Sequence, residues 1–370
     1  MLLLMCRDTV VFSMDTSTSE YCIHNEMLLP WALKGTFREI DFNQNMSCIV
    51  KDAVHNYSVF VSYVARRVLS MSRKHAKEIR NLLRVSQMDD EQTKFKIALI
   101  CRAVTLQDDY WLKDSENPVT WKDVNLRHNS WNDVMTRVAL HGTSLTLQGK
   151  LTTPEITTHG TFAKAWVRKN DDLFLLKKGN SSNWEAKVEV EVSNVLGCCS
   201  VNRLQYELTE HEGELCCQCK CLADDSVSML HAEDLFIYCN RNDLNFEQTV
   251  LDIDAEAYYK MWIVDYLISN GDRHLMNWGF LFDPETTKIL GCLALYDHNN
   301  SFDVNVMNDP DTVYVVNGKS MRESAKYAMT KVDFYFTKEP ARDLFITQRH
   351  YDSFMSRAKE LGIKTKMSIF

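Results

Sequence analysis

Proline is scarce in this chain of 370 residues, with 6 beside 12 glycines, which excludes a collagen-like or proline-rich extended polypeptide. No stretch approaches the roughly 18 consecutive apolar residues of a membrane helix, so no membrane association is expected. Residues 1–5 are apolar, yet they lack a basic flank, meet Arg7 and Asp8 at once and precede no small-residue cleavage site. They read as a buried strand rather than a signal peptide. Basic charge is not in excess: 42 Lys and Arg stand against 50 Asp and Glu, a formal net charge of -8. That field repels a nucleic-acid backbone, so direct nucleic-acid binding is not expected. Internal repeats are missing, and so are repeated CxxC pairs.

What is present is an average globular mixture, 45% apolar and 25% charged, at a length suited to two or three packed units. Twelve cysteines are many; with no export signal they are expected to be reduced thiols of a cytoplasmic protein, although export of the chain stays open. The crowded Cys216-Cys217-Gln218-Cys219-Lys220-Cys221 segment invites a zinc reading. The alternation of Cys217, Cys219 and Cys221 favours one buried face of a strand instead.

Along the chain, residues 1–145 read as one or two short strands followed by helices. Residues 61–84 carry seven basic residues against Glu78 alone, a solvated helical face or a docking surface for an acidic partner. Residues 90–110 and 129–140 have helical spacing, and 142–153 form a Thr, Ser and Gly connection that marks a boundary. Strand signals then begin: 161–167 and 173–178 form a hairpin, 184–196 a helix closed by Gly197, and 204–209 with 215–222 a second hairpin. Asp254 is placed to cap a helix over 255–269. Strands at 278–282 and 289–296 flank the turn Asp283-Pro284-Glu285, and helices near 320–329 and 348–361 close the chain.

The densest chemical signal is Asn270-Gly271-Asp272-Arg273-His274-Leu275-Met276-Asn277, followed after a hairpin by Leu295-Tyr296-Asp297-His298. An Asp, an Asn five positions on, and a second Asp beyond a hairpin is the spacing of phosphoryl-transfer sites. Asp272 would orient or deprotonate an acceptor hydroxyl. Asn277 and Asp297 offer the hard oxygen ligands that Mg²⁺ prefers.

The stretch 265–281 around Asp272 resembles the catalytic loop of the HipA-like serine/threonine kinases, and Tyr296-Asp297-His298-Asn299-Asn300-Ser301-Phe302 is similar to their metal-binding segment. The hairpin, helix, hairpin order extends the likeness over about residues 150–370. The resemblance implies an α+β, bilobal protein-kinase-like fold: a small β-rich lobe at 146–222, a larger helical lobe at 223–370 and a hinge near 221–224; residues 1–145 lie outside the resemblance and read as an extra amino-terminal α/β region. It implies ATP and Mg²⁺ as cofactors, a protein substrate, and allows an antitoxin-like partner. Thr157-Thr158-His159-Gly160-Thr161-Phe162-Ala163-Lys164 takes the place of the nucleotide loop. It has one glycine rather than G-x-G-x-x-G, but Thr157 and Lys164 stand where the family carries a phosphorylatable hydroxyl and a lysine. The phosphate-binding cation is Lys177, or its neighbour Lys178 facing the other way. Its carboxylate partner is Glu189, with Glu185 and Glu191 as alternatives. His274 either anchors the loop or, as in the similar Asp-Arg-His-x-x-Asn loop of lipid kinases, contributes to acid–base chemistry. His298 and Asn300 shape the turn around Asp297. A kinase for a lipid or small molecule and a catalytically silent nucleotide-binding module are the competing functions.

Overall fold

Leu4 and Cys6 enter the main core, while Met5 faces a second cluster with Leu106, Trp111 and Trp166; apolar neighbours on both sides make the amino-terminal segment a central strand. In this computed structural model, which describes residues 1–41, 43–131, 133–143, 152–180, 182–302, 309, 311 and 313–366, that strand is β1 (Leu2–Cys6). With β2 (Thr9–Met14), β3 (Tyr21–Ile23) and β4 (Tyr110–Asp114) it forms an antiparallel sheet of order β3-β2-β1-β4, four strands where the sequence suggests one or two. Helices α1 (Met46–Ala65), α2 (Ala76–Leu82), α3 (Glu91–Cys101), α4 (Trp121–Val124) and α5 (Asp133–His141) complete this region. Asn45 and Asp90 cap α1 and α3 by accepting from the Cys48 and Thr93 amides.

The basic run at 61–84 is not one solvated helical face: Lys74, Lys77 and Arg84 are exposed, but three of its arginines turn inward. The chain leaves α1 after Ala65 and re-enters a helix at Ala76. Arg67, Arg73 and Arg80 are buried at 8%, 2% and 0% exposure, with Arg67 forked onto Asp108 at 2.8 and 2.7 Å and Arg80 paired to Asp89 at 2.9 Å. Fixed partners at short range explain why the charges turn inward.

The second sheet holds β5 (Lys164–Lys169), β6 (Asp172–Lys177), β7 (Tyr206–His211) and β8 (Glu214–Lys220) in antiparallel order β5-β6-β8-β7, with α6 (Trp184–Leu196) between the hairpins. Cys217 and Cys219 pack with Ala186 and Tyr206, and Cys216 joins the main core, so these thiols serve as small apolar residues. Cys221 lies beyond the strand, against the Leu106 side of the fold.

The third sheet, order β11-β10-β9, is built from β9 (Ser228–His231), β10 (Gly279–Phe282) and β11 (Ile289–Cys292). Around it lie α7 (Ala232–Arg241), α8 (Phe246–Ile268), α9 (Met321–Ala328) and α10 (Gln348–Glu360). The helix expected from 255 starts earlier, at Phe246, and kinks at Asp254 (φ -160, ψ 75). Asp254 still caps: its carboxylate accepts the Ala257 amide at 3.0 Å, and the Cys292 amide at 3.1 Å. One apolar cluster runs from Leu4 to Ala358 and takes residues from all three sheets. The described residues thus form a mixed α/β protein with antiparallel sheets, and no helix among them is long and apolar enough to cross a membrane. Of the expected connection at 142–153, residues 144–151 lie outside the described residues.

Candidate active site

The chain turns sharply out of α8 because Ser269 takes the left-handed conformation, φ +56. Asp265, on the last turn of α8, is fully buried and receives the Arg273 guanidinium at 2.9 Å, the Asn270 amide group at 3.1 Å and the Tyr314 hydroxyl. Burial opposes charge on Arg273, but Asp265 outweighs it and raises the guanidinium pKa. Arg273 also donates to the backbone carbonyls of Asn277 at 2.6 Å and Tyr296 at 2.8 Å, and contacts His298 Nδ1 at 3.1 Å. A single buried side chain therefore joins the helix end, the loop 270–277 and the segment 296–298.

On this frame the side chain of Asn277 donates to the Asp272 carbonyl at 2.8 Å, and Asn300 donates to Asp272 Oδ2 at 2.9 Å. His274 is exposed, and its Nδ1 accepts the Met276 amide at 3.2 Å.

Lys177, at the end of β6, lies inward and Lys178 outward, where Lys178 meets Glu214 at 2.9 Å. The Lys177 ammonium donates to Asp297 Oδ1 at 2.7 Å, Tyr206 Oη at 3.2 Å and Glu189 Oε2 at 3.3 Å. Burial would discharge this lysine, yet Asp297 and Glu189 hold its pKa well above the ordinary value. Asp297 sits at φ +60, and Lys177 followed by Lys164 depresses its pKa against the effect of burial. For Glu189, burial prevails and raises the pKa although Lys177 opposes it. Glu189 Oε1 accepts the His298 amide at 3.0 Å. The other candidate carboxylates are engaged elsewhere: Glu185 with Asn180, and Glu191 with His350 at 2.9 Å.

Ahead of β5, residues 154–157 form a short 3-10 turn. The Thr157 hydroxyl is buried and donates to the Val104 carbonyl at 2.9 Å. Gly160 has φ +102, a backbone conformation strained for any other residue, and a Cβ there would displace the Lys164 ammonium. Lys164 pairs directly with Lys177 across β5 and β6. Burial pushes Lys164 down to about 8; Asp297 opposes the shift, and Lys177 and Arg73 add to it. Arg73 spans this loop, donating to the carbonyls of Glu155, Thr158 at 2.9 Å and Lys164 at 2.6 Å.

Thr157, Gly160, Lys164, Lys177, Asp272, His274, Asn277 and Asp297 all line one cavity of about 460 Å³, and Glu189 stands behind Lys177. The size suits a small-molecule or cofactor site. Leu175 and Met229 give it an apolar wall. The sequence reading missed the part of the lining that comes from the first 145 residues: Thr105, Leu106 and Gln107, with the Gln107 carbonyl accepting the Met229 amide at 2.7 Å. No motif marks those three residues. Arg73 was hidden in the basic run, and Arg273 had only its place beside Asp272 to signal it.

No family model matches the chain, and no curated protein matches it. Among solved structures, HipA of Shewanella oneidensis MR-1, determined in complex with HipB and operator DNA, is similar with a TM-score of 0.53 at 10% identity, covering 98% of this chain and 89% of that one. The Helicobacter pylori proinflammatory kinase CtkA covers 54% of this chain and 89% of its own at 12% identity, with a TM-score of 0.37. The likeness in fold rests on the first.

Proposed function

We propose that the chain is an ATP- and Mg²⁺-dependent kinase of the HipA-like type that phosphorylates Ser or Thr of a protein in the cytoplasm. In this reading, residues 146–222 and 223–370 are the small and large lobes, and residues 1–145 are an added region that supplies one wall of the cleft. The observation that carries the proposal is the convergence on one cavity of two buried lysines, Lys164 and Lys177, with Asp272, Asn277 and Asp297. The residues fit the cofactor: the cations suit phosphate oxygens, and Asn277 and Asp297 offer hard oxygen donors. When bound, Mg-ATP supplies the phosphoryl group and the metal charge that stabilises its transfer. Lys164 and Lys177 hold phosphate, with Glu189 fixing Lys177. Asp272 accepts the proton of the acceptor hydroxyl, oriented by Asn300. His274 keeps the loop in shape through the Met276 amide. Thr157 is the proposed autophosphorylated residue of the nucleotide loop, and an antitoxin-like protein is the proposed partner.

The test is a Mg-ATP turnover assay on the whole chain with casein, with phosphoinositide vesicles and with no acceptor. Transfer to casein that disappears in Asp272→Asn supports the reading. Transfer to lipid alone replaces it with a lipid kinase, and nucleotide binding without turnover replaces it with a silent module.

A further inference from the structure

We propose that His141, His211 and Glu212 form a binding site for a borderline divalent transition metal of the Zn²⁺ type, which clamps α5 to the β7–β8 hairpin. One ligand atom from each of the three residues falls within 4.8 Å of the others. His141 Nε2 lies 3.5 Å from Glu212 Oε2. Tetrahedral coordination with bonds of about 2.0–2.1 Å sets ligand atoms roughly 3.3 Å apart, so this pair already has the right separation and the His211 ring needs only a small adjustment. The two imidazole rings are 6.3 Å apart and nearly parallel, at 5°.

Two further observations favour a ligand set over a polar surface cluster. His141 Nε2 is shielded from solvent and makes no hydrogen bond among the described residues, although Glu212 Oε2 stands 3.5 Å away, an arrangement that a cation held between the two would satisfy. Glu212 is held from behind: Arg137 Nε donates to Oε1 at 2.8 Å, which leaves Oε2 turned to His141. Carboxylate ligands are commonly oriented by such an outer partner.

The donor set of two nitrogens and one carboxylate selects a metal of the zinc class, since Mg²⁺ and Ca²⁺ take oxygen ligands. Arg137 and Lys178 nearby are offset by Glu212 and by Glu214, which pairs with Lys178 at 2.9 Å. His141 is the last residue of α5, in the first 145 residues, whereas His211 ends β7, in the sheet that carries Lys177, and Glu212 begins the turn to β8. A metal here would fix that helix to the sheet, away from the cavity lined by Lys177 and Asp272, and the proposal does not depend on the kinase reading.

Co²⁺ serves as the probe because its visible spectrum distinguishes ligands. The folded full chain should take up a single strongly held equivalent with imidazole and carboxylate d–d bands and no thiolate charge-transfer band. That uptake should be lost in His211→Ala and weakened at least tenfold in Glu212→Gln, whose exposed position leaves folding intact. Zn²⁺ should raise the melting temperature of the wild type but not of His211→Ala. Equal binding by wild type and both variants, a thiolate band showing that cysteines hold the metal, or no uptake by the folded wild type would each overturn the assignment.

Discussion

Lys164 and Lys177 stand directly opposite each other on neighbouring antiparallel strands, both buried at the head of one cavity. Like charges in that position repel. Asp297, 2.7 Å from the Lys177 ammonium, answers one of them, and burial, with Lys177 adding to it, leaves Lys164 with a depressed pKa despite Asp297. A polyanion entering the cavity relieves this repulsion, which is why the pair supports a phosphate-binding role better than either lysine alone.

The first prediction concerns pH. Lys164 has a folded value of about 8 against about 10.4 for a free lysine, so its charge is lost as pH rises through 8. Nucleotide affinity should fall above that point, by up to about tenfold per pH unit, and Lys164→Arg should flatten the profile because the guanidinium stays charged. Stability should move the other way. Between about 8 and 10.4 the unfolded chain binds more protons than the folded one, so the Lys164 contribution to stability rises with pH. Titration calorimetry and urea unfolding across this range, each beside Lys164→Met, give both slopes. A nucleotide affinity that is flat in pH for the wild type removes Lys164 from the phosphate site.

The second prediction separates Asp272 from Asp297. Asp272→Asn removes the proposed base while leaving the cation pair, so turnover should drop about a hundred- to ten-thousandfold with nucleotide affinity nearly unchanged. Asp297→Ala should instead weaken Mg²⁺-dependent nucleotide binding. It should also lower stability, by less than the roughly 3 kcal/mol that begins the range for a broken buried pair, because Glu189 remains beside Lys177. Equal loss of affinity in both variants means the two roles are misassigned.

Much of this architecture was legible because its signals are local. Helix 184–196 has its apolar spacing and a following glycine. The hairpins have their turn residues, and Asp272, Asn277 and Asp297 sit at fixed offsets around a loop and a hairpin. The wall at Thr105–Gln107 was not legible, since its placement depends on long-range pairing of the Gln107 carbonyl with Met229. Strand β9 was missed for a related reason: its four residues are ordered by pairing with β10 rather than by their own pattern. Arg73 looked solvated because sequence reports charge but not the three backbone carbonyls waiting for it. The choice of Glu189 among three glutamates also required the register of α6 against β6, which spacing alone does not supply.

Arg73 gives the third prediction. It lies in the first 145 residues, yet it fastens both ends of the loop that carries Gly160. Arg73→Met leaves buried carbonyls without their donor, at a cost of about 1–3 kcal/mol each. Hydrogen exchange should quicken over residues 155–164, and nucleotide affinity should fall. Arg73→Lys should recover little, because one ammonium does not reproduce the planar fork. Unchanged exchange in that loop together with unchanged affinity would show that Arg73 does not position it.

The last prediction concerns the hydroxyls of the same loop. Thr157 is buried and hydrogen-bonded to Val104, Thr158 is half-buried and bonded to the Pro154 carbonyl at 2.6 Å, and Thr161 is exposed. A phosphate adds about -1.5 to -2 charge and three acceptor oxygens, which the buried niche of Thr157 has no room to take. Phosphorylation at Thr157 must therefore swing the loop outward, carrying Gly160 and Lys164 from the cavity and ending nucleotide binding. A phosphate on Thr161 needs no such movement and should leave Lys164 in place. Mass spectrometry after incubation with Mg-ATP, with wild type beside Asp272→Asn, identifies the residue, and hydrogen exchange over 155–164 reads the displacement. Phosphate on Thr157 in the wild type alone, with faster exchange and lost affinity, is the expected result. Phosphate confined to Thr161, or none in this loop despite transfer to an added protein, would eliminate self-inhibition through Thr157.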